Sequence, residues 1–371
     1  MIISSLSVKT ILDSRRDKTI QVSVNHQKAS APYGASVGKH ETPTYRKTLS
    51  DDIKKIKSAK LKGIEINSFS DLKKIEKLLR KKLGANSLFA LESAILKALA
   101  KSKKKELWQV ISPNLKSPKL PIPLGNVVEG GMHAHNKCPP TFQEFFLISS
   151  KKSVKENVKI LSSFHKQVKR KVKSQRKSDE GAWETELNNE QVLTALSKFK
   201  GVRIGIDAAV SAFYKDKEYY YNNNKVLDKN SQIRYINSLI KKYNLLYVED
   251  PLDEEDFSGF SKISKKTLVT GDDLTATQIS RTKKAIKMKS MNAMIIKPNQ
   301  NGSLLDLAEI FKLCKKHKIK TILSHRSGET LDNALADYAV AFQADYIKTG
   351  IATKWRTVKL KRLIEIEKQS R

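Results

Sequence analysis

The stretch TLVTGDDLTATQISRTKKAIKMKSMNAMIIKPNQNGSLLDLAEIFKLCKKHKIKTILSHRS (267–327) contains three short apolar runs with helical patterns between them. The runs are TLVTGDDL (267–274), AMIIKPN (293–299) and TILSHRS (321–327), and each closes on charged or polar residues. Outward from them, VRIGIDAA (202–209) and LLYVEDP (245–251) come before, and ADYIKTG (344–350) comes after. From Asp272 the polar residues Lys297, His325 and Lys348 step by 25, 28 and 23 residues, about one βα unit each. The roughly 250 residues from 118 onward have the usual size of a β/α barrel, whose active sites form at the C-terminal ends of the strands. One polar ending would be a strand cap; six in succession predict a site.

Residues 1–117 read as a small α+β unit. ILDS and TIQVSV (19–24) suggest strands, APYGASVGKHET (31–42) a polar loop, and three helical patterns follow at about 47–58, 70–83 and 87–103. SPKLPIP (117–123), with three prolines in seven residues, marks a boundary. The expected organisation is an N-terminal α+β domain over 1–117 and a β/α barrel over 118–371.

Composition narrows the class without naming a function. Hydrophobic residues make up 39% of the 371 positions, too many for intrinsic disorder. No run approaches the ~18 apolar residues of a membrane span, and no secretory signal is legible, so a cytoplasmic location is expected. The two cysteines, Cys138 and Cys314, are too few for a disulfide scaffold. The net charge of +33 is the footprint of a nucleic-acid binder, yet 58 of the 71 basic residues are Lys and only 13 are Arg. Lysine lacks the planar fork that reads bases and phosphates, and the lysine runs are scattered along helical patterns. Any nucleic-acid binding is therefore expected to be non-specific.

Asp207, Glu249 and Asp272 close three successive runs, so a barrel would bring them together. Three convergent carboxylates repel one another unless a cation lies between them, and an all-oxygen set favours a hard ion such as Mg²⁺. Lys297 and Lys348 end two later runs, where neighbouring positive charge would favour a neutral amine able to act as a base. Between them SHRSGET (324–330) offers His325, Arg326 and Ser327, a set suited to phosphate or carboxylate. Three earlier polar clusters read as loops. GGMHAHN (130–136) carries His133 and His135, QEF (143–145) carries Gln143 and Glu144, and SDEGAW (178–183) carries Asp179 and Glu180. A carboxyl there, opposite a lysine base, would supply acid and base for an elimination.

With these residues in view, the chain resembles enolase, the phosphopyruvate hydratase family, over nearly its whole length. The motifs are GASVGKHE (34–41), QEF, DEG (179–181), GIDAA (205–209), VEDPLDEED (248–256), GDDLTAT (271–277), IIKPNQNGSL (295–304), SHRSGET and IKTG (347–350). The resemblance implies a magnesium-dependent lyase of glycolysis and gluconeogenesis that interconverts 2-phosphoglycerate and phosphoenolpyruvate. It implies two Mg²⁺ per site, the first held by Asp207, Glu249 and Asp272, the second arriving with substrate and held in part by Ser36 as its loop closes. Lys297 would be the base, and Glu180 the acid, supported by Glu144. Ser36, His133, Gln143, His325, Arg326, Ser327 and Lys348 would bind substrate. The resemblance also implies a homo-oligomer, by family likeness a dimer.

The chain departs from the family pattern in several places. It is shorter by several tens of residues and unusually basic. DSRGNPT becomes DSRRDKT, placing Arg16 where the family has Gly, and GDEGG becomes SDEGA around Glu180. The segment between His133 and Gln143 is longer by about two residues, which makes His135 an alternative to His133. Two other readings follow from these departures and the charge: an enolase-fold paralogue with altered substrate or weak activity, and a basic nucleic-acid-binding protein on an enolase scaffold.

Overall fold

The structure is a computed structural model that describes residues 1–34 and 38–370. Ser36 lies outside the described residues. The chain opens with three antiparallel strands, β1 (Leu6–Leu12), β2 (Lys18–Val24) and β3 (Gln27–Ser30), in the order β1-β2-β3. Val8 pairs with Val22, and Val22 with Ala29, so the alternating apolar residues share one buried face. The β1–β2 turn contains Arg16 at φ 68°, the left-handed region in which glycine is at ease.

Helices α1 (Leu49–Ser58), α2 (Leu72–Leu79), α3 (Ala85–Ser102) and α4 (Leu107–Ile111) follow. α3 is buried over nearly its whole circumference because it packs against β2 and β3 as well as α4 and the barrel. Helices that are apolar all round belong inside, and ANSLFALESAILKALA is such a sequence.

Eight strands then close the barrel: β4 (Ile122–Glu129), β5 (Glu144–Ile148), β7 (Arg203–Asp207), β11 (Tyr247–Glu249), β12 (Leu268–Gly271), β13 (Ala293–Ile296), β14 (Lys320–Ser324) and β15 (Tyr346–Lys348). β6 (Trp183–Glu184) pairs outside β4, and β8 (Tyr214–Lys215), β9 (Glu218–Tyr220) and β10 (Val226–Asp228) form a separate small sheet. β15 pairs with β4 to complete the closure. Six of these strands are the six apolar runs. The first two, β4 and β5, form an antiparallel hairpin, and β5 also runs antiparallel to β7. The expected loop at QEF is therefore the start of a strand. Because β5 points down the barrel, its first residue, Glu144, lies at the same rim as the last residues of the parallel strands.

Inside the barrel Leu124, Phe146, Ile148, Tyr247, Ala293, Ile295 and Ile322 fill the lower part as an apolar plug. Outside, α5 (Val154–Lys171), α6 (Asn189–Leu196), α7 (Lys229–Tyr243), α8 (Phe257–Ser261), α9 (Ile279–Lys287), α10 (Pro298–Asn301), α11 (Leu304–Lys316), α12 (Ala334–Ala341) and α13 (Lys354–Gln369) surround the strands. Among the described residues no helix is long and apolar enough to cross a membrane.

Candidate active site

The closed barrel forces the strand ends together. Glu129 pairs in register with Glu144, Glu144 with Asp207, and Asp207 with Glu249, so four carboxyls follow one another around the rim. Lys348, the last residue of β15, reaches into this row. Its Nζ lies 3.1 Å from Asp207 and 2.9 Å from Glu249, and it also pairs with Glu144. Asp272 stands one strand further on and pairs with Lys297. The other Asp272 oxygen accepts from Gln300 Nε2 at 3.1 Å. The three expected metal carboxylates thus share one rim, split between the two lysines.

Burial sets the charge states. It pushes the Asp207 carboxyl up to about 6 and Glu249 up to about 8, with neighbouring carboxylates adding to the effect at Glu249. Burial alone would lower both lysines, but Asp272 holds Lys297 above the usual range, and Asp207, Glu144 and Glu249 do the same for Lys348. Lys348 does lower Lys297, as neighbouring positive charge should, but the carboxylates beside the two lysines outweigh it. Among these crowded, buried, oxygen-only carboxylates Asp207 and Glu249 are raised, while Lys297 holds Asp272 low despite its burial. The set suits a hard divalent cation, whose charge reverses that balance.

Glu180 lies in the loop before β6. Gly181 beside it has φ +90°, and a Cβ there would come within 2.8 Å of Thr353 and 2.9 Å of Ala352. One glycine of the motif is thus required by both backbone and space. His165 of α5 holds the loop through the Gly181 carbonyl at 2.8 Å while stacking on Trp183. Across the pocket His325 Nε2 stands 3.2 Å from Glu180 Oε2. His325 Nδ1 accepts from Arg356 Nη1 at 2.9 Å, which assigns the ring proton to Nε2. Burial, with Arg356 beside it, pushes the His325 pKa far below the usual range, so the ring is neutral.

Arg356 is fully buried and also donates to the carbonyls of Arg326 at 2.6 Å and Ser327 at 2.7 Å. One side chain therefore fixes the whole SHR turn. Arg326 in turn meets Glu41 of the GASVGKHE loop. The backbone N–H groups of Asp272 and Asp273 donate to Asp250 at 3.0 and 2.9 Å, which aims the Asp272 side chain.

His133, Gln143, Glu144, Glu180, Asp207, Lys297, His325, Arg326, Ser327 and Lys348 line one cavity of about 40 Å³. A second, of about 220 Å³, shares Gln143, Asp207 and Lys297 with it and extends to Glu41, Asp250 and Asp272. Glu249 lies beneath, in contact with Lys348. His135 does not join them: its ring is bonded to Glu184 at 2.9 Å, and it is His133 that lines the cavity. A larger cavity of about 580 Å³ opens elsewhere, beside α6 and α7, and contains none of these groups.

Glu129, Glu41, Asp250 and Arg356 are absent from the residues expected to serve the site. Glu129 had a signal, since IPLGNVVE (122–129) is another apolar run ending in a carboxylate. Arg356 had one too: Leu360, Leu363 and Ile366 form a buried stripe on α13, and continuing it back by one turn reaches Arg356 and Lys359. Fold and site together define a β/α-barrel protein whose rim gathers buried carboxyls, two lysines and an Arg–Ser turn around one cavity.

The enolase C-terminal TIM barrel domain matches residues 117–370. The chain is 35% identical to the enolase of Archaeoglobus fulgidus across 99% of its own length and 97% of that protein. It is 33% identical to the enolase of Methanosphaera stadtmanae, with the same coverage, and 34% identical to that of Saccharolobus solfataricus over 96% and 93%. The chain belongs to the enolase family.

Proposed function

We propose that the protein is a phosphopyruvate hydratase that reversibly dehydrates 2-phosphoglycerate to phosphoenolpyruvate. The observation that carries the reading is one small cavity lined by Lys297 and Glu180 together with Arg326, Ser327 and Lys348. Residues 118–371 would form the catalytic barrel and residues 1–117 its cap.

Lys297, held as an ammonium by Asp272, would give its own proton to solvent once a cation takes over Asp272. Its neutral amine then takes the proton from C2 of the substrate. Glu180 gives a proton to the C3 hydroxyl, which departs as water, and Glu144 supports it from the neighbouring strand. Arg326 and Ser327 hold the phosphate, and Lys348 keeps its charge beside the substrate carboxylate. Neutral His325, with His133 and Gln143, lines the remaining wall and excludes water. Asp207, Glu249 and Asp272 would hold one Mg²⁺, and Ser36 would help hold a second. The ions supply positive charge for the second negative charge that builds on the substrate carboxylate.

By the same family likeness we propose a cytoplasmic homodimer. Binding of the +33 chain to nucleic acid would be bulk charge that fades steeply with salt. The test is turnover: purified protein with Mg²⁺ and 2-phosphoglycerate should yield phosphoenolpyruvate, read by its ultraviolet absorbance. Absence of product at saturating metal and substrate sinks the reading.

A further inference from the structure

Glu129 ends β4 completely buried, and the reaction above gives it no part. Its Oε1 accepts from Asn126 Nδ2 at 2.9 Å, and the same amide donates to Glu144 at 2.7 Å. Its Oε2 has no partner. His133 Nδ1 shares that condition, while Glu180 Oε2 faces the His325 ring at 3.2 Å. One polar atom from each of these three residues lies within 4.8 Å of the other two. Burial and two carboxyls this close favour the protonated form of Glu129.

The groups around Glu129 supply little compensation. Glu144 faces it from β5, Glu180 from the following loop and His133 from the turn after β4. Glu184 of β6 is engaged by His135 and Arg176. Lys348 is engaged by Glu144, Asp207 and Glu249. Arg356 approaches Glu180 only to 3.6 Å and is bonded to the SHR turn. Burial first, then Glu180 and Glu144, push the Glu129 carboxyl well above the usual range.

We propose that Glu129 and Glu180 form a proton-sharing pair in which Glu129 is the positioning residue that returns a proton to the acid. The inference rests on the proposed dehydration. When Glu180 gives its proton to the departing hydroxyl, the Glu129 O–H bond breaks and its proton passes to the Glu180 carboxylate, directly or across one water. Glu129 then regains a proton from solvent by way of half-buried His133. Nothing is oxidised or reduced.

The test compares kcat/KM against pH for wild type and Glu129→Gln, which keeps an acceptor for Asn126 but cannot hand on a proton. In wild type the charge of one carboxylate opposes loss of the last proton from the other. Removing the partner should therefore move the alkaline limb to lower pH, by about one unit. Glu129→Asp should return it towards the wild-type position. A residue that only fills space would lower activity with the limb unmoved. A second readout needs no turnover: the infrared carbonyl band of a buried protonated carboxyl at about pH 8 should be present in wild type and lost in Glu129→Gln, so it appears as a positive feature in the wild-type minus variant difference. A coincident limb or an unchanged band overturns the pair. If wild type makes no phosphoenolpyruvate, the dehydration reading fails while the infrared band still decides the pair.

Discussion

Arg326 and Glu41 face each other as a buried bidentate pair, Nη1 donating to Oε2 at 3.0 Å and Nη2 to Oε1 at 3.1 Å. Neither side chain is more than 5% exposed. Glu41→Ala leaves a buried guanidinium without its carboxylate, a loss of about 3–5 kcal/mol. Urea unfolding should show it. The KM for 2-phosphoglycerate should rise as well, because Arg326 loses its fixed orientation.

Lys297 and Glu180 are proposed to move the two protons. Lys297→Ala and Glu180→Gln should each lower kcat by about 10²–10⁴. Circular dichroism should remain that of wild type, since neither residue belongs to an apolar core. An active Lys297→Ala protein would remove the base from the mechanism.

Asp207, Glu249 and Asp272 are crowded, and a divalent cation relieves that crowding. Mg²⁺ at 100-fold above its Kd should stabilise the fold by about 2.7 kcal/mol, seen as a higher Tm. The shift should vanish in Asp272→Asn, and chelation should abolish turnover.

Lys97 of α3 donates to both oxygens of Asp332 at 2.8 Å, and the Ser30 and Ala334 N–H groups add to them. Burial would raise the Asp332 carboxyl, but Lys97 and these donors outweigh it and hold it below its ordinary 3.8. The unfolded chain therefore binds more protons across that interval. The stabilisation is full above about 3.8 and is lost as pH falls through the lower folded value. Lys97→Met should cost about 1.5–3 kcal/mol at pH 7, and its unfolding curve should approach wild type in acid.

Arg16 occupies a left-handed turn position at φ 68°. A side chain there costs about 1–2 kcal/mol, part of which glycine returns through its greater freedom when unfolded. Arg16→Gly should raise stability by about 0.5–1 kcal/mol without changing kcat.

Six barrel strands were legible because each runs from apolar to polar in the same direction. β5 breaks that rule. It is antiparallel, so Glu144 reaches the rim from the beginning of a strand, and a reader of strand endings takes QEF for a loop. The site's conspicuous residues were legible for the same reason as the six strands. Arg356 and Lys359 sit among the lysines of α13, whose charges read as a solvated face although the apolar stripe through Leu360 and Leu363 runs back to them; the structure shows two buried cations. Glu41 was hidden differently: its partner lies 285 residues away, a pairing that local pattern does not encode.

Tyr33 and Gly328 form a two-way backbone bridge, each N–H donating to the other's carbonyl at 2.7 and 2.8 Å. Ser14 and Glu329 are joined the same way by a backbone and a hydroxyl bond. At Gly328 an added Cβ would meet Asp13 Oδ2 at 1.9 Å, so the N-terminal unit is seated tightly against the turn that carries Arg326. The barrel is therefore not an exchangeable module. Recombination that lent this barrel a different N-terminal partner would deliver every reactive group and still lose the mould in which the SHR turn is cast. The two halves are joined by these peptide groups as well as by the Arg326–Glu41 and Lys97–Asp332 pairs.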